Sequence, residues 1–290
     1  WVTGAVEPRL KAVVPVYGAG GIARAEKGSG QALRRRGPEW TEQWVATFDP
    51  ARLAPVMRAP VLFCNGSNDW FGTLRASEDA MNKLEVAHLR SYAANRNHSL
   101  DAGNVRAAMD WFDHYLKGSE LGLEEPKLTL AADRDGRLVA RIEAGRAAKV
   151  NLWVARGRLP DVVRCWLRSP AEKAAPHRWI APVPVRTMQE PVSLMAEAEY
   201  EHGALVHSRV VFDFVPASMA GVRHPLAPPE AVLLIAAAGE TDAWTAETST
   251  DFPACAKATG VVRRESSGRG GVVAEASLRG GFRALTTRRP

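Results

Sequence analysis

A chain of 290 residues with 46% apolar and 24% charged residues can bury one or two hydrophobic cores, and its composition is that of a globular protein. Its formal net charge of +6 comes from arginines crowded at residues 34–36 and near the carboxyl end, without an aromatic-interleaved basic face, which argues against nucleic-acid binding. The three cysteines form no CxxC pair, which argues against a disulfide framework and a zinc site. No apolar stretch approaches the ~20 residues that a membrane span requires.

The amino-terminal part of the chain alternates between helical and strand patterns. Residues 1–6 are typical of the end of a helix, and residues 10–17, 60–63 and 86–92 are apolar runs that predict short buried strands. Helical patterns cover residues 73–84 and 104–116. In the second of these, Val105, Ala108, Met109, Phe112 and Leu116 share one stripe of an amphipathic helix. Strands that alternate with helices predict a parallel sheet covered on both faces.

The pattern changes near residue 125. Residues 127–144 alternate apolar and polar positions on either side of Asp135-Gly136, which predicts a hairpin, and further short strands follow at hairpin spacing. The predicted domains are therefore a partial α/β domain over residues 1–120 and an antiparallel β-sandwich over residues 125–217. Residues 218–254 are predicted to be a linker and a partial module. Residues 255–290, rich in glycine, arginine and serine, are predicted to be a disordered tail, although a frame error in the coding sequence produces similar composition.

Two polar residues follow successive predicted strands. Asp69, in "CNGSNDW", comes after one buried strand, and His98, in "NRNHSL", comes after the next. The loops beyond the carboxyl ends of neighbouring parallel strands lie together, so an aspartate and a histidine on them can meet. A buried carboxylate then holds the imidazole in one tautomer and stabilises it when the ring takes a proton from a nucleophile.

The order of an acid followed by a histidine calls for a nucleophile earlier in the chain. No G-x-S-x-G elbow is present, since "KGSGQ" and "ESSGR" have the wrong spacing and no preceding strand. The chain begins at Trp1, within what reads as the interior of a domain. We therefore expect an amino-terminally truncated chain whose nucleophile lies upstream and which is itself catalytically silent.

Three stretches carry a resemblance to a known family. "WVTGAVEPRLKAVVPVYGAGG", "WVATFDPARLAPVMRAPVLFCNGSNDW" and "NRNHSLDAGNVRAAMDWFDHYLKG" resemble the carboxyl-terminal half of an α/β-hydrolase, in the acetyl-xylan-esterase and dienelactone-hydrolase-like branch. The resemblance covers residues 1–118. It implies that Asp69 is the acid and His98 the base of a Ser-Asp-His triad, and that a serine elbow stands just before Trp1. Departures from the family pattern are the missing elbow, Trp70 where phenylalanine is common, and Cys64 at the strand end.

The resulting fold expectation is an α/β protein: the carboxyl-terminal half of an α/β-hydrolase parallel sheet with flanking helices, followed by an antiparallel β-sandwich and a disordered tail. The expected activity is hydrolysis of a carbohydrate acetyl ester or a similar carboxylic ester, with no cofactor and no metal. The expected partner is a small-molecule or carbohydrate ester, with no nucleic acid and no membrane span.

Several alternatives stay open at this point. Asp69 can be a turn former and His98 an exposed loop histidine. Trp70 is either a substrate-binding wall or a packing residue. Asp101 competes for the acid role, but its position favours a helix entry. The whole chain can instead be a non-catalytic carbohydrate-binding or scaffold protein, or belong to a peptidase of the same fold. The oligomeric state and the cellular location stay unknown.

Overall fold

The computed structural model describes residues 1–18, 20–24, 29–69, 71–158 and 161–226, together with six short strands beyond residue 226. The helices are α1 (Val2–Val6), α2 (Ser29–Arg34), α3 (Pro38–Phe48), α4 (Pro50–Leu53), α5 (Leu74–Met81) and α6 (Ala102–Lys117). The first eleven strands are β1 (Val61–Gly66), β2 (His88–Ala93), β3 (Lys127–Ala132), β4 (Leu138–Glu143), β5 (Lys149–Arg156), β6 (Trp166–Pro170), β7 (Glu172–Ala175), β8 (Arg178–Pro182), β9 (Val192–Glu199), β10 (Leu205–His207) and β11 (Val211–Phe214).

The short strands beyond residue 226 pair among themselves. They are β12 (Ala236–Ala237), β13 (Trp244–Glu247), β14 (Thr259–Val262), β15 (Gly271–Val272), β16 (Ala274–Ser277) and β17 (Ala284–Thr287). Three antiparallel pairs form, β12 with β15, β13 with β17, and β14 with β16. Most of the predicted disordered tail lies outside the described residues, and the predicted domain boundaries stay predictions.

The first eleven strands form two sheets. A seven-stranded sheet has the order β1-β2-β10-β9-β5-β6, with β11 also paired to β9, and a four-stranded antiparallel sheet has the order β3-β4-β8-β7. Both contribute to one core, in which Leu138 and Ile142 of β4 belong to the same cluster as Leu152 of β5 and Leu62 of β1. The architecture is sheet-rich and sandwich-like, with few helices.

The predicted parallel α/β-hydrolase sheet is wrong. Among the strands that the structure describes, only β1 and β2 form a parallel pair, and the expected strand over residues 10–17 contributes two isolated parallel bridges to β1, from Val13 and Val16. On its other edge β2 pairs antiparallel with β10, through His207 and Arg90. The antiparallel strands β5, β6, β9, β10 and β11 therefore continue the sheet that begins with β1, and the second sheet contains β3, β4, β7 and β8. Apolar runs identify strands but carry no record of which strand lies beside which.

Helix α6 confirms the predicted helix but turns a different face to the core. Its buried residues are Asn104, Ala107 and Trp111, because a small alanine lets the helix approach the sheet and the indole fills the adjoining space. Most of the predicted stripe faces solvent, with exposed fractions of 50% for Val105, 59% for Met109, 37% for Phe112 and 63% for Leu116.

A buried carboxylate lies where β9, β10 and β5 meet. Glu197 accepts hydrogen bonds from Asn151 Nδ2 at 2.8 Å and Trp153 Nε1 at 2.9 Å, and its Oε2 lies 3.3 Å from Nε2 of His207. The His207 Nδ1 accepts the Tyr92 N–H at 3.1 Å, so Nε2 carries the ring proton that faces the carboxylate. Burial by itself raises the pKa of Glu197, but His207 and the two N–H donors outweigh it and lower the pKa to about 2.

We expect Glu197→Gln to flatten the acid side of the stability profile. The folded-state pKa lies below the ordinary value of 4.5, so this group contributes stability that is present above about pH 4.5 and lost as the pH falls through about 2. The difference between the ordinary and the folded-state pKa of Glu197 corresponds to about 3 kcal/mol of the free energy of unfolding at neutral pH. Urea unfolding at a series of pH values measures it, with Glu143→Gln, an exposed glutamate of β4, as the control. Equal pH slopes for wild type and Glu197→Gln contradict the expectation.

Candidate functional site

Asp69 lies in the turn that follows β1. All six residues of β1 are buried, and the chain leaves the sheet after Gly66 through Ser67 and Asn68. The Asp69 side chain is fully buried, and its Oδ1 accepts the N–H groups of Phe71 at 2.7 Å and Gly72 at 3.1 Å. The predicted turn role is therefore present, and the second carboxylate oxygen is still available for another partner.

That partner is His98, in the loop that follows β2. The His98 Nδ1 lies 2.9 Å from Asp69 Oδ2, with 42% of the histidine side chain exposed and none of the aspartate. A carboxylate only accepts hydrogen bonds, so Nδ1 carries the proton and Nε2 presents its lone pair. No group within the described ranges hydrogen-bonds to Nε2. Asp69 and His98, which the sequence placed on successive loops, are thus brought together.

Burial is the largest influence on the carboxylate and raises the pKa of Asp69 above its ordinary value. The N–H groups of Gly72 and Phe71 and the hydrogen bond with His98 act in the opposite direction and favour the charged form. A desolvated carboxylate that faces one imidazole attracts the proton on Nδ1 strongly, because little water screens the interaction. The arrangement can hold one tautomer of His98 and stabilise positive charge on its ring.

Two aromatic rings lie against the imidazole. The ring centroid of Tyr17 is 4.0 Å from that of His98, and the centroid of Phe71 is 5.4 Å from it. Tyr17 has a φ of 56°, which is uncommon for a bulky residue, and its N–H donates to Cys64 O at 3.1 Å. Strained backbone of this kind is often found at functional sites. The rings restrict the orientations open to His98.

The other sequence candidates have different places. Trp70 lies outside the described residues. Asp101 precedes α6, where its N–H donates to Asn104 Oδ1 at 2.9 Å, which confirms the predicted helix entry. Cys64 is buried in β1, and burial raises the pKa of its thiol to about 12, so it is a poor nucleophile. No group of three metal-ligating side chains occurs in the described part of the chain.

Several residues at the site were missed at the level of sequence. Tyr17 and Phe71 contact His98, and Ser67, Asn68 and Asn95 hold the two loops. A weak signal for Asn95 was available, because asparagine tolerates the left-handed conformation that it adopts here with a φ of 60°. Nothing in the local pattern indicated the rings, which come from different segments of the chain.

None of the helices described here has the length and apolarity needed to cross a bilayer. No family model and no curated protein matches the chain. One solved structure with partial similarity is an acetyl xylan esterase from Paenibacillus sp. R4, at 18% sequence identity and a TM-score of 0.35. The match covers 39% of this chain and 40% of the esterase, so it spans well under half of that protein.

Proposed function

We propose that Asp69 and His98 are the acid and the base of a serine hydrolase that cleaves carboxylic esters, such as carbohydrate acetyl esters. The observation that carries the proposal is the 2.9 Å contact between a fully buried carboxylate and a partly exposed imidazole. The serine is assigned to polypeptide upstream of Trp1.

The proposed chemistry follows from the two ring nitrogens of His98. Nε2 removes the proton from the serine hydroxyl as the oxygen attacks the ester carbonyl, and Asp69 stabilises the imidazolium that forms. The imidazolium then gives that proton to the departing alcohol, which leaves an acyl-enzyme. Nε2 next takes a proton from water as the water oxygen attacks the acyl carbonyl, and it returns that proton to the serine oxygen as the bond between serine and the acyl group breaks and the carboxylic acid leaves.

The test compares two polypeptides. One is the 290-residue chain, and the other is the same chain with the residues that its gene encodes before Trp1 added at the amino end. We expect the extended chain to hydrolyse p-nitrophenyl acetate and to react with a fluorophosphonate probe, whereas the 290-residue chain does neither. His98→Ala abolishes turnover, and Asp69→Asn lowers kcat about 10⁴-fold because the imidazole adopts the wrong tautomer. His88→Ala, a partly buried histidine of β2, is the control and leaves kcat unchanged.

Two results overturn the proposal. An extended chain that folds but shows no His98-dependent esterase activity removes the assigned chemistry. Turnover by the 290-residue chain that His98→Ala abolishes would instead mean that a nucleophile lies within the chain. An aminoacyl p-nitroanilide run in parallel distinguishes ester from peptide hydrolysis.

A further inference from the structure

The loops that carry Asp69 and His98 are joined to each other by their backbones. The Ser67 N–H donates to Ala93 O at 2.9 Å, and the Asn68 N–H donates to Arg96 O at 2.9 Å. The hydroxyl of Ser67 also accepts the N–H of Asn95 at 2.8 Å. The two loops therefore form one unit, which sets the direction from which the imidazole approaches the carboxylate.

Both loops are also fastened to a third segment, residues 164–166, which comprises the end of the β5–β6 connection and the first residue of β6. The side chain of Asn68 donates through Nδ2 to Arg164 O at 2.7 Å. Asn95 makes two bonds to one residue, since its Nδ2 donates to Trp166 O and its Oδ1 accepts the Trp166 N–H, each at 2.8 Å. This two-point contact fixes both the position and the plane of the Asn95 carboxamide.

The third segment is itself rigidly held. The guanidinium of Arg164 is almost fully buried, with Nε 3.1 Å from Asp161 Oδ1 and a terminal nitrogen 3.3 Å from Asp213 Oδ1, and it also donates to the hydroxyl of Ser193. Trp166 is only 1% exposed and belongs to the core cluster that includes Phe63 and Tyr92. A segment with these contacts moves little, so groups bonded to its backbone are well positioned.

We infer that Asn68 and Asn95 are positioning residues, which hold the Asp69–His98 pair in its hydrogen-bonding geometry by fastening both loops to the backbone of residues 164–166. The inference rests on the proposed function for its catalytic meaning. A bond between Nδ1 and Oδ2 requires two separate loops to meet within a few tenths of an ångström, and mobile loops lose that alignment. The segment that leads into β6 thus positions Asp69 and His98, although these two residues follow β1 and β2.

The experiment measures the pair directly, without an ester substrate. In the 290-residue chain, nitrogen-15 NMR at mildly alkaline pH distinguishes a proton on Nδ1 of His98 from one on Nε2, and the exchange of the Nδ1 proton with water reports its hydrogen bond. The main variant is Asn95→Gly, because glycine accepts the φ of 60° without strain and removes the side chain with its carboxamide. Asn68→Ala is the second variant. Asn151→Ala is the control, since it removes a buried carboxamide bonded to Glu197 and leaves both loops untouched.

We expect wild type and Asn151→Ala to hold the proton on Nδ1 with slow exchange. In Asn95→Gly the ring should populate both tautomers, with exchange faster by about tenfold, and Asn68→Ala should show a smaller change in the same direction. A folded Asn95→Gly that keeps the wild-type tautomer and exchange rate overturns the positioning role. If Asn95→Gly does not fold, Asn68→Ala decides by the same criterion. A wild-type ring without the Nδ1 proton overturns the proposed function instead, so the two failures are distinguishable.

Discussion

Gly66→Ala is expected to unfold or severely destabilise the protein, by at least about 3 kcal/mol. A Cβ at this position comes closest to the carbonyl oxygen of Asn97, and lies 2.5 Å from Arg96 O and 2.8 Å from the Asn97 carbonyl carbon. These are backbone atoms of the loop that carries His98, so rotation of a side chain cannot relieve the clash. The two loops must separate, and the bond between Asn68 N–H and Arg96 O is lost with them.

Urea unfolding of Gly66→Ala measures this loss, and Gly122→Ala is the matched control. A Cβ on Gly122 meets no atom within 4 Å, and we expect a change within about 0.5 kcal/mol there. If the two variants are equally stable, the loops that follow β1 and β2 do not approach each other as closely at Gly66 as the structure indicates.

Arg90→Met is expected to cost about 3–5 kcal/mol, because it leaves a carboxylate buried without its counter-charge. Nε of Arg90 lies 3.2 Å from Oε1 of Glu78, and both side chains are only 3% exposed. The same guanidinium contacts Glu125 Oε1 at 2.9 Å and Asn82 Oδ1 at 3.1 Å. Adding Glu78→Gln to Arg90→Met should restore more than half of the loss, since the amide removes the charge and still accepts the hydroxyl of Tyr92.

The pH dependence of Arg90→Met has a definite sign. Burial is the largest influence on Glu78 and raises its pKa, while the charge of Arg90 lowers it, so loss of the arginine raises that pKa further. For a carboxyl whose folded-state pKa lies above its unfolded value of about 4.5, the stability contribution is present below that value and is lost as the pH rises through the folded pKa. The deficit relative to wild type should therefore be smaller at about pH 5 than at about pH 8. The double variant has no carboxyl at position 78, so its loss of stability should not become smaller at the lower pH in this way.

Part of the candidate site was predictable because its signals are local. A short apolar run that ends in small polar residues identifies β1 and the turn with Asp69, and the same reasoning places His98 after β2. The two strands are parallel, adjacent and in register from Val61 with His88 to Gly66 with Ala93, so the residues that follow them emerge side by side. Here strand order in the chain and strand order in space agree.

The supports of the site were not predictable in this way. Asn68 is hydrogen-bonded to a residue 96 positions away and Asn95 to one 71 positions away. Nothing in the sequence around Arg164 or Trp166 marks these residues as partners.

The face that helix α6 exposes was also decided by tertiary packing. The helical period shows that Val105 and Met109 share a face, but packing against the sheet selected the face with Ala107 and Trp111 instead.

By itself, the sequence determined where strands and helices form near the site, which two polar residues follow neighbouring strands, and the absence of an internal serine elbow. These properties depend on side-chain period, turn chemistry and residue type over a few positions. Only the tertiary structure decided that β10 pairs with β2 and converts the expected parallel sheet into a mixed one, and that residues 164–166 hold both loops. In the β2–β10 pairing both partners are backbone groups, and in the contacts of Asn68 and Asn95 the partner is a backbone group of residues 164–166. Backbone groups are the same in every residue except proline, so the amino-acid sequence carries no local mark of which ones are contacted.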